Sequence, residues 1–475
     1  MKKTISNIFY NCASQLLAII VPLITSPYIS RVLLPTNLGI YSYIDSVAQI
    51  FAVIGALGLT NYGIREIAYV KDDKEKRSQI FFEVMILKII LLIVTFILYY
   101  MFFIGTQYEK YSMYQLIWFI GSFLDVIWFY NGLEDFKTVV LRTCIIKTFN
   151  VLLVFLLVKS PQDITKYILI MGFCQVLGVL ICYPSMTKLI CKPNWKKIKI
   201  IPHLLATSKI ALPQIVILVY YQMDKIMIEY FTHDSAIIAF YDQSDKIVKI
   251  PVTAITAVSA VMLPRSANLF ASNDKNQLSE SIRITIKYTL LLVFPMTLGL
   301  ISIAHSFVPW FYGPGYDEVA PIIISLCPVI IARGLSSISS TQYLVPTKNT
   351  KYLTISSIFS AILNVVINYL TIPIWGVYGA ALGTIFAEFS VTIIQYYYMA
   401  KDIELNGLFK GVLKYLLLIL VLLLFQNNIL QEIFLHYQEY ILFYFLFPSY
   451  YYTSRILVYH NLRIKKRPRW TDSAR

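Results

Sequence analysis

Charge is what this sequence has least of. Asp, Glu, Lys and Arg make up 14% of its 475 residues, where a soluble domain carries about 25%. The charged shell that keeps a globular protein in water is therefore missing. Histidine and cysteine are also scarce. The five histidines form no H-E-x-x-H or other ligand spacing, which removes the zinc-peptidase pattern. The six cysteines, Cys12, Cys144, Cys174, Cys182, Cys191 and Cys327, contain no C-x-x-C pair. They read as small buried hydrophobes rather than metal ligands or disulfides. With no G-x-x-x-x-G-K-[ST] loop, the chain itself is not expected to hydrolyse ATP. No metal, no cofactor and no catalytic constellation is expected, and the chain reads as something other than an enzyme.

What is present is hydrophobic. Residues of that kind make up 57% of the chain, in stretches of about 18–25 separated by short polar gaps, each long enough to cross a ~30 Å hydrocarbon core as a helix. Fourteen spans are predicted: 8–29, 39–59, 80–103, 114–130, 139–158, 164–183, 210–231, 236–263, 286–308, 319–344, 352–372, 376–398, 408–425 and 437–457. The fold class is all-α, a polytopic membrane protein. Lys2 and Lys3 before an apolar run suggest a signal peptide, but the run reaches Ile29 without a small-residue cleavage pattern and reads as the first span.

The formal net charge of +15 invites a nucleic-acid reading, and the location of the charges argues against it. Every second gap is basic. Roughly 32 Lys and Arg fall in those gaps, against about four (Arg31, Lys110, Lys159, Lys166) in the others. Such loops stay at the cytoplasmic, anionic-lipid face. Both termini are expected in the cytoplasm, with the chain spanning a cell membrane.

The most polar mid-chain stretch, with Pro193, Trp195, Lys196, Lys197, Lys199 and Pro202, falls between spans six and seven. It divides the chain into an N-terminal lobe (1–190), a cytoplasmic linker (191–209), a C-terminal lobe (210–402), two further spans (403–460) and a basic tail (461–475). At an offset of 200, Gly39-Ile-Tyr41 meets Ala239-Phe-Tyr241, Asp45 meets Asp245 and Gln49 meets Lys249. Paired repeats of this kind are how many transporters build two gates around one site.

The chemistry should lie in ionisable residues that interrupt the spans, because each costs a few kcal/mol at mid-bilayer and needs a partner or water. In span eight, Asp242, Asp245, Lys246 and Lys249 recur at i, i+3, i+4 and i+7, on one helical face. Span two carries Ser42, Asp45 and Gln49, and span seven carries Tyr220, Tyr221, Gln222, Asp224 and Lys225. In span ten, Arg333 precedes Ser336, Ser337, Ser340 and Thr341. Two readings follow: these stripes line a hydrated cavity between the lobes, or Asp242–Lys246 and Asp245–Lys249 satisfy each other as i,i+4 pairs. Lys88 and Asp125 reach similar depth in spans three and four and read as a structural ion pair. Glu388 stands alone in span twelve. Pro22, Pro27, Pro213, Pro251, Pro295 and Pro328 lie in or near spans, as hinges or fixed kinks.

Two stretches carry a family resemblance. One is Pro22-Leu-Ile-Thr-Ser-Pro-Tyr-Ile-Ser-Arg31-Val-Leu with Leu38-Gly-Ile-Tyr-Ser-Tyr and Leu57-Gly-Leu-Thr-Asn-Tyr-Gly-Ile-Arg65-Glu. The other is Trp375-Gly-Val-Tyr-Gly-Ala-Ala-Leu-Gly-Thr-Ile-Phe-Ala-Glu388. The sequence resembles the polysaccharide, or Wzx-type, flippases of the multidrug/oligosaccharidyl-lipid/polysaccharide exporter superfamily. Ala239 stands where that family usually has Gly, and the basic tail has no counterpart. The resemblance implies two six-helix lobes in a V shape plus two C-terminal helices. It implies translocation of undecaprenyl-pyrophosphate-linked oligosaccharide repeat units for capsule, exopolysaccharide or O-antigen-type synthesis. It also implies a cationic cavity, a role that passes to Lys246, Lys249 and Arg333, and less firmly to Lys225. Asp242, Asp245 and Asp45 are the accompanying candidates, and Gly376, Gly379 and Gly383 are expected at close helix contacts. A polysaccharide polymerase and glycosyltransferases are candidate protein partners.

Two alternatives stand beside this. A drug/cation antiporter of the same superfamily would favour an acid-dominated cavity. A membrane glycan polymerase or ligase would show a large outer loop with a catalytic cluster, which the gap around Gln426 to His436 is too short to supply. Lys246→Ala or Arg333→Ala is expected to abolish export and leave protein abundance unchanged.

Overall fold

Proline marks two of the places where the long apolar runs break. The structure, a computed structural model, describes residues 2–403, and all regular structure among them is helical. In chain order the helices are α1 (Lys2–Ala56), α2 (Leu59–Tyr69), α3 (Lys74–Phe103), α4 (Glu109–Tyr114), α5 (Leu116–Phe123), α6 (Ile127–Gly132), α7 (Phe136–Leu157) and α8 (Ile164–Leu189). They continue with α9 (Ile201–Thr232), α10 (Ser235–Ala271), α11 (Lys275–Tyr312), α12 (Val319–Leu326), α13 (Pro328–Ile338), α14 (Lys351–Trp375) and α15 (Val377–Met399). A π-helical turn, Ser339–Leu344, follows α13.

Among the described residues ten helical runs are long and apolar enough to cross a membrane. The expected spans 8–29 and 39–59 both fall in α1, which breaks at Leu34 (φ 63°, ψ 165°) instead of at a loop. Pro35 lacks the amide that would continue the hydrogen-bond ladder and disfavours helical geometry at the residue before it. A non-glycine residue in this region costs about 1–3 kcal/mol and persists only where neighbours hold it. Leu33 and Leu38, both buried, anchor the break on either side. The expected fourth span, 114–130, is likewise not one helix: it divides among α4, α5 and α6, with Asp125 in the last gap. Pro328 divides the tenth in the same way, at the first turn of α13. The seventh lies within the longer α9. The expected spans 408–425 and 437–457, and the basic tail 461–475, lie outside the described residues.

Helices α10 and α11 have 37 and 38 residues. At ~1.5 Å per residue they outreach a ~30 Å hydrocarbon core by several turns. Arg265, Lys275, Arg283 and Lys287 sit in those overhanging ends. On α3, Ile89, Ile93, Ile97 and Met101 are exposed at i, i+4 spacing, and on α7 Leu141, Ile145, Leu152 and Leu156 are exposed at steps of four and seven. Contiguous apolar stripes of this kind suit lipid, not water.

The polar linker does not hang free. Its amides at Cys191, Asn194 and Lys199 donate to Ser78, Gln79 and Glu83 of α3, at 2.9, 3.0 and 2.9 Å. His203 then bridges Glu83 and Tyr62 at 2.7 Å each. This buried chain fastens the start of α9 to α2 and α3. Outside the spans, Asp73 caps α3 by accepting from the Lys76 amide at 3.0 Å. That bond, with the Lys76 ammonium, holds its carboxyl below the usual range.

Of the glycines expected at helix contacts, Gly379 and Gly383 sit at them in the α14–α15 hairpin, whereas Gly376 does not: open space surrounds it, because it serves the turn. Gly376 makes the turn at φ 54°, and a Cβ on Gly379 would lie 2.5 Å from the Thr371 carbonyl carbon. A Cβ on Gly383 would lie 1.9 Å from Asn368 Oδ1.

Candidate functional site

The polar stripes of α1 and α10 meet. Ser42 donates to Asp242 at 2.9 Å, so two residues 200 apart in sequence touch. Gln49 donates to Asp45 at 2.6 Å and accepts from Gln222 of α9 at 2.7 Å, while Gln115 donates to Asp45 at 3.1 Å. Between these helices and α8 lies a cavity of about 320 Å³. Tyr41 and Tyr167 close one wall, edge to face at 4.8 Å.

Six charged side chains line this cavity: Asp45, Asp242, Asp245, Lys225, Lys246 and Lys249. Their pairing follows from the i, i+4 spacing. Lys246 binds Asp242 at 2.7 Å, and Lys249 binds Asp245. Asp242 also receives Lys225 at 3.1 Å. The two readings of the sequence are thus not exclusive, because the pairs form and also line a cavity. Acids and bases balance in number, yet they differ in exposure. The side chains of Lys246 and Lys249 are 41% and 44% exposed, against 9% and 20% for Asp242 and Asp245. A buried carboxylate with a flexible ammonium above it presents a cationic surface to whatever enters.

A second, apolar cleft of about 270 Å³ runs between α1 and the helices α10 and α11, past Leu23, Ile247, Ile250 and Phe311. It shares Pro22, Ser26, Lys246 and Lys249 with the charged cavity. The two lysines therefore stand where a polar chamber meets an oily one.

Arg333 is elsewhere. It lines a separate polar cavity of about 270 Å³ with Tyr220, Tyr221 and Glu388. Its Nε donates to Glu388 Oε1 at 2.8 Å, and Tyr220 donates to the same oxygen at 2.8 Å. This corrects the placement of Arg333 beside Lys246 and Lys249, and it gives Glu388 the partner that sequence could not name. The physical reason is burial: an arginine inside a helix bundle takes the nearest carboxylate.

Lys88 and Asp125 also differ from expectation. Lys88 donates to the main-chain carbonyl of Asp125 at 2.9 Å, while the Asp125 carboxylate faces Arg142 at 3.4 Å. The gap between α5 and α6 frees that carbonyl from the helical ladder and makes it an acceptor.

One cluster had no signal as a unit in the sequence. Asp224 of α9 accepts from Tyr241 at 2.6 Å, Thr384 at 2.7 Å, Asn364 at 3.0 Å and Asn368 at 2.6 Å. The i, i+4 asparagines in an apolar span were the visible trace, but four helices had to converge to give them meaning. Among the described residues no group of three or more His, Cys, Asp or Glu side chains is placed to hold a metal ion.

Comparison with known proteins agrees with this architecture. A "Putative O-antigen transporter" of Escherichia coli (strain K12) is 22% identical over 417 residues, covering 83% of this chain and 96% of that protein. Among solved structures, "Lipid II flippase MurJ, inward closed conformation" aligns at a TM-score of 0.72 with 18% identity, over 94% of this chain and 100% of that one. An inward-facing multidrug resistance MATE family transporter of the MOP superfamily aligns at 0.60 with 14% identity, over 83% of this chain and 94% of that one. At these identities the structures show a shared fold. The polysaccharide biosynthesis protein family matches residues 4–270, more than half of the chain. The chain belongs to that family.

Proposed function

We propose that this protein is a flippase that carries undecaprenyl-pyrophosphate-linked oligosaccharide repeat units across the bacterial cytoplasmic membrane by alternating access. The observation that carries the proposal is the junction at Lys246 and Lys249, where a charged cavity and an apolar cleft share their lining. A lipid-linked glycan has that same division. Each unpaired hydroxyl costs ~4–8 kcal/mol in alkane, so the sugars need a polar chamber. The polyprenyl tail needs none and occupies the cleft between α1 and α10. The exposed ammonium groups meet the pyrophosphate at the boundary, where charge-assisted bonds are strongest. The names carried by the Escherichia coli relative and by the lipid II flippase support the same substrate class.

In this proposal residues 1–190 and 210–402 move as two lobes, with the basic loops and both termini in the cytoplasm. The glycan serves capsule, exopolysaccharide or O-antigen-type assembly, and the protein catalyses no bond rearrangement. The test is translocation in proteoliposomes of an undecaprenyl-pyrophosphate-linked oligosaccharide with a fluorescent sugar, read by quenching from outside. Wild-type protein should expose the label in the opposite leaflet, and the Lys246→Ala/Lys249→Ala variant should slow this by about tenfold or more, as expected for loss of two charge-assisted contacts. Equal rates for the two proteins and empty liposomes would refute the assignment.

A further inference from the structure

The cavity that holds Arg333 has a lining distinct from that of the charged cavity between α1 and α10. All of its lining belongs to α9, α10, α13, the π-turn, α14 and α15, and it shares no lining residue with the charged cavity. A single ring separates the two: Lys249 lies 5.7 Å from the Tyr221 centroid, and Arg333 lies 5.2 Å from the same centroid.

We propose that this second cavity is a subsite for one neutral pyranose ring, and that it reads the identity of a sugar in the transported glycan. The inference rests on the flippase reading and adds the determinant of glycan specificity. The charge of the cavity supports it first. Its charged groups, Arg333 and Glu388, neutralise each other, so a phosphate or a cationic drug finds no unbalanced partner. The pair uses only Nε and Oε1. The two terminal guanidinium nitrogens and Oε2 are left to donate and accept side by side, which is what vicinal hydroxyls require.

The rest of the lining has the same character. Five serines line the space; Ser336, Ser337 and Ser340 donate to helix carbonyls and keep oxygen lone pairs that can accept. Ser360 lines the space, and its Oγ is buried without a hydrogen-bond partner, an arrangement that costs free energy. At about 270 Å³ the space is large enough to admit a sugar ring. The π-turn beneath it, where the Val345 amide reaches Ser340 at 3.0 Å, is the kind of helix irregularity found often at functional sites. The i, i+3, i+4, i+7 stripe Arg333, Ser336, Ser337 and Ser340 thereby acquires a role that pyrophosphate binding does not give it.

The test uses full-length purified protein in nanodiscs, in a cysteine-free background carrying Ser336→Cys or Ser26→Cys. Alkylation by a small maleimide is timed with glucose, galactose, mannose, rhamnose, N-acetylglucosamine or N-acetylgalactosamine, and with inorganic pyrophosphate. One sugar of the panel should slow Ser336→Cys by about fivefold, the scale of one or two neutral hydrogen bonds, while pyrophosphate does not. At Ser26→Cys the order should reverse. No protection by any sugar, or stronger protection of Ser336→Cys by pyrophosphate, overturns the proposal. In the translocation assay, Ser336→Val and Ser360→Val should narrow the rate difference between oligosaccharides that differ in that sugar and leave bare undecaprenyl pyrophosphate unaffected. Slowing of all cargo alike, bare carrier included, would show a structural role and also overturn it. Wild-type protein that moves no carrier at all would defeat the flippase reading alone, because sugar protection still decides the subsite.

Discussion

At the scale of single residues, the membrane accepts charge here only in sets. Asp242 gathers Lys225, Lys246 and Ser42, and Lys225 is itself largely buried, its side chain 13% exposed. Removing one partner from a buried pair costs about 3–5 kcal/mol, because the other charge is left without compensation. Asp242→Asn should therefore lower the thermal midpoint of the purified protein and its yield from membranes. Lys246→Ala should not, since Asp242 keeps Lys225 and Ser42, and its defect should appear in transport. Arg333→Ala belongs with Asp242→Asn. The sequence alone led to the expectation of unchanged abundance, but the contact with Glu388 reverses it. Arg333→Gln combined with Glu388→Gln should recover much of the stability that either change loses, and a double-mutant cycle on thermal midpoints measures the coupling.

At the scale of elements, periodicity made the stripes on α1, α10 and α13 legible, because 3.6 residues per turn turns spacing into a face. The helix-packing glycines were legible for a similar reason. What each stripe meets was not. Lys88 finds a carbonyl instead of a carboxylate because α5 and α6 break at Asp125, and nothing in the hydropathy of 114–130 announces the break. The Asp224 cluster draws on α9, α10, α14 and α15, which periodicity within one helix cannot relate. Its dependence on the hairpin gives a prediction. Gly383→Ala places a Cβ against Asn368 Oδ1 and should displace that asparagine from Asp224. Overpacking of this kind costs about 1–3 kcal/mol. A lower thermal midpoint for Gly383→Ala, partly restored by Asn368→Ala, would confirm the contact. Additive losses would count against it.

At the scale of the whole described unit, the early and late helices touch at both ends of α9: His203 near its start bonds Tyr62 and Glu83, and a second group of contacts lies toward its other end. Ser30 donates to the Tyr312 carbonyl at 2.9 Å, and Tyr316 donates to the Ser30 carbonyl at 3.1 Å. Tyr108 bonds Glu229 and Ser235, and Gly39 abuts Ser235 so closely that a Cβ would fall 1.6 Å from its carbonyl oxygen. In the orientation proposed above this end faces outward, and on that reading these contacts form a closed outer gate. Gly39→Val should then disfavour the closed state and shift the population toward an outward-open one. A membrane-impermeant maleimide added outside intact cells should label Ser42→Cys faster in the Gly39→Val background. An unchanged labelling rate would mean that the contact is not a gate.

The cleft past Leu23, Ile250 and Phe311 has one more consequence. A pocket that enclosed the whole cargo would have to measure its tail. A slot along the flank of α1 and α10 that grips only beside Lys246 and Lys249 measures nothing beyond the first isoprene units. On the proposed mode of binding, carriers of very different polyprenol length should therefore travel at similar rates, with selection falling on the sugar and none on the anchor.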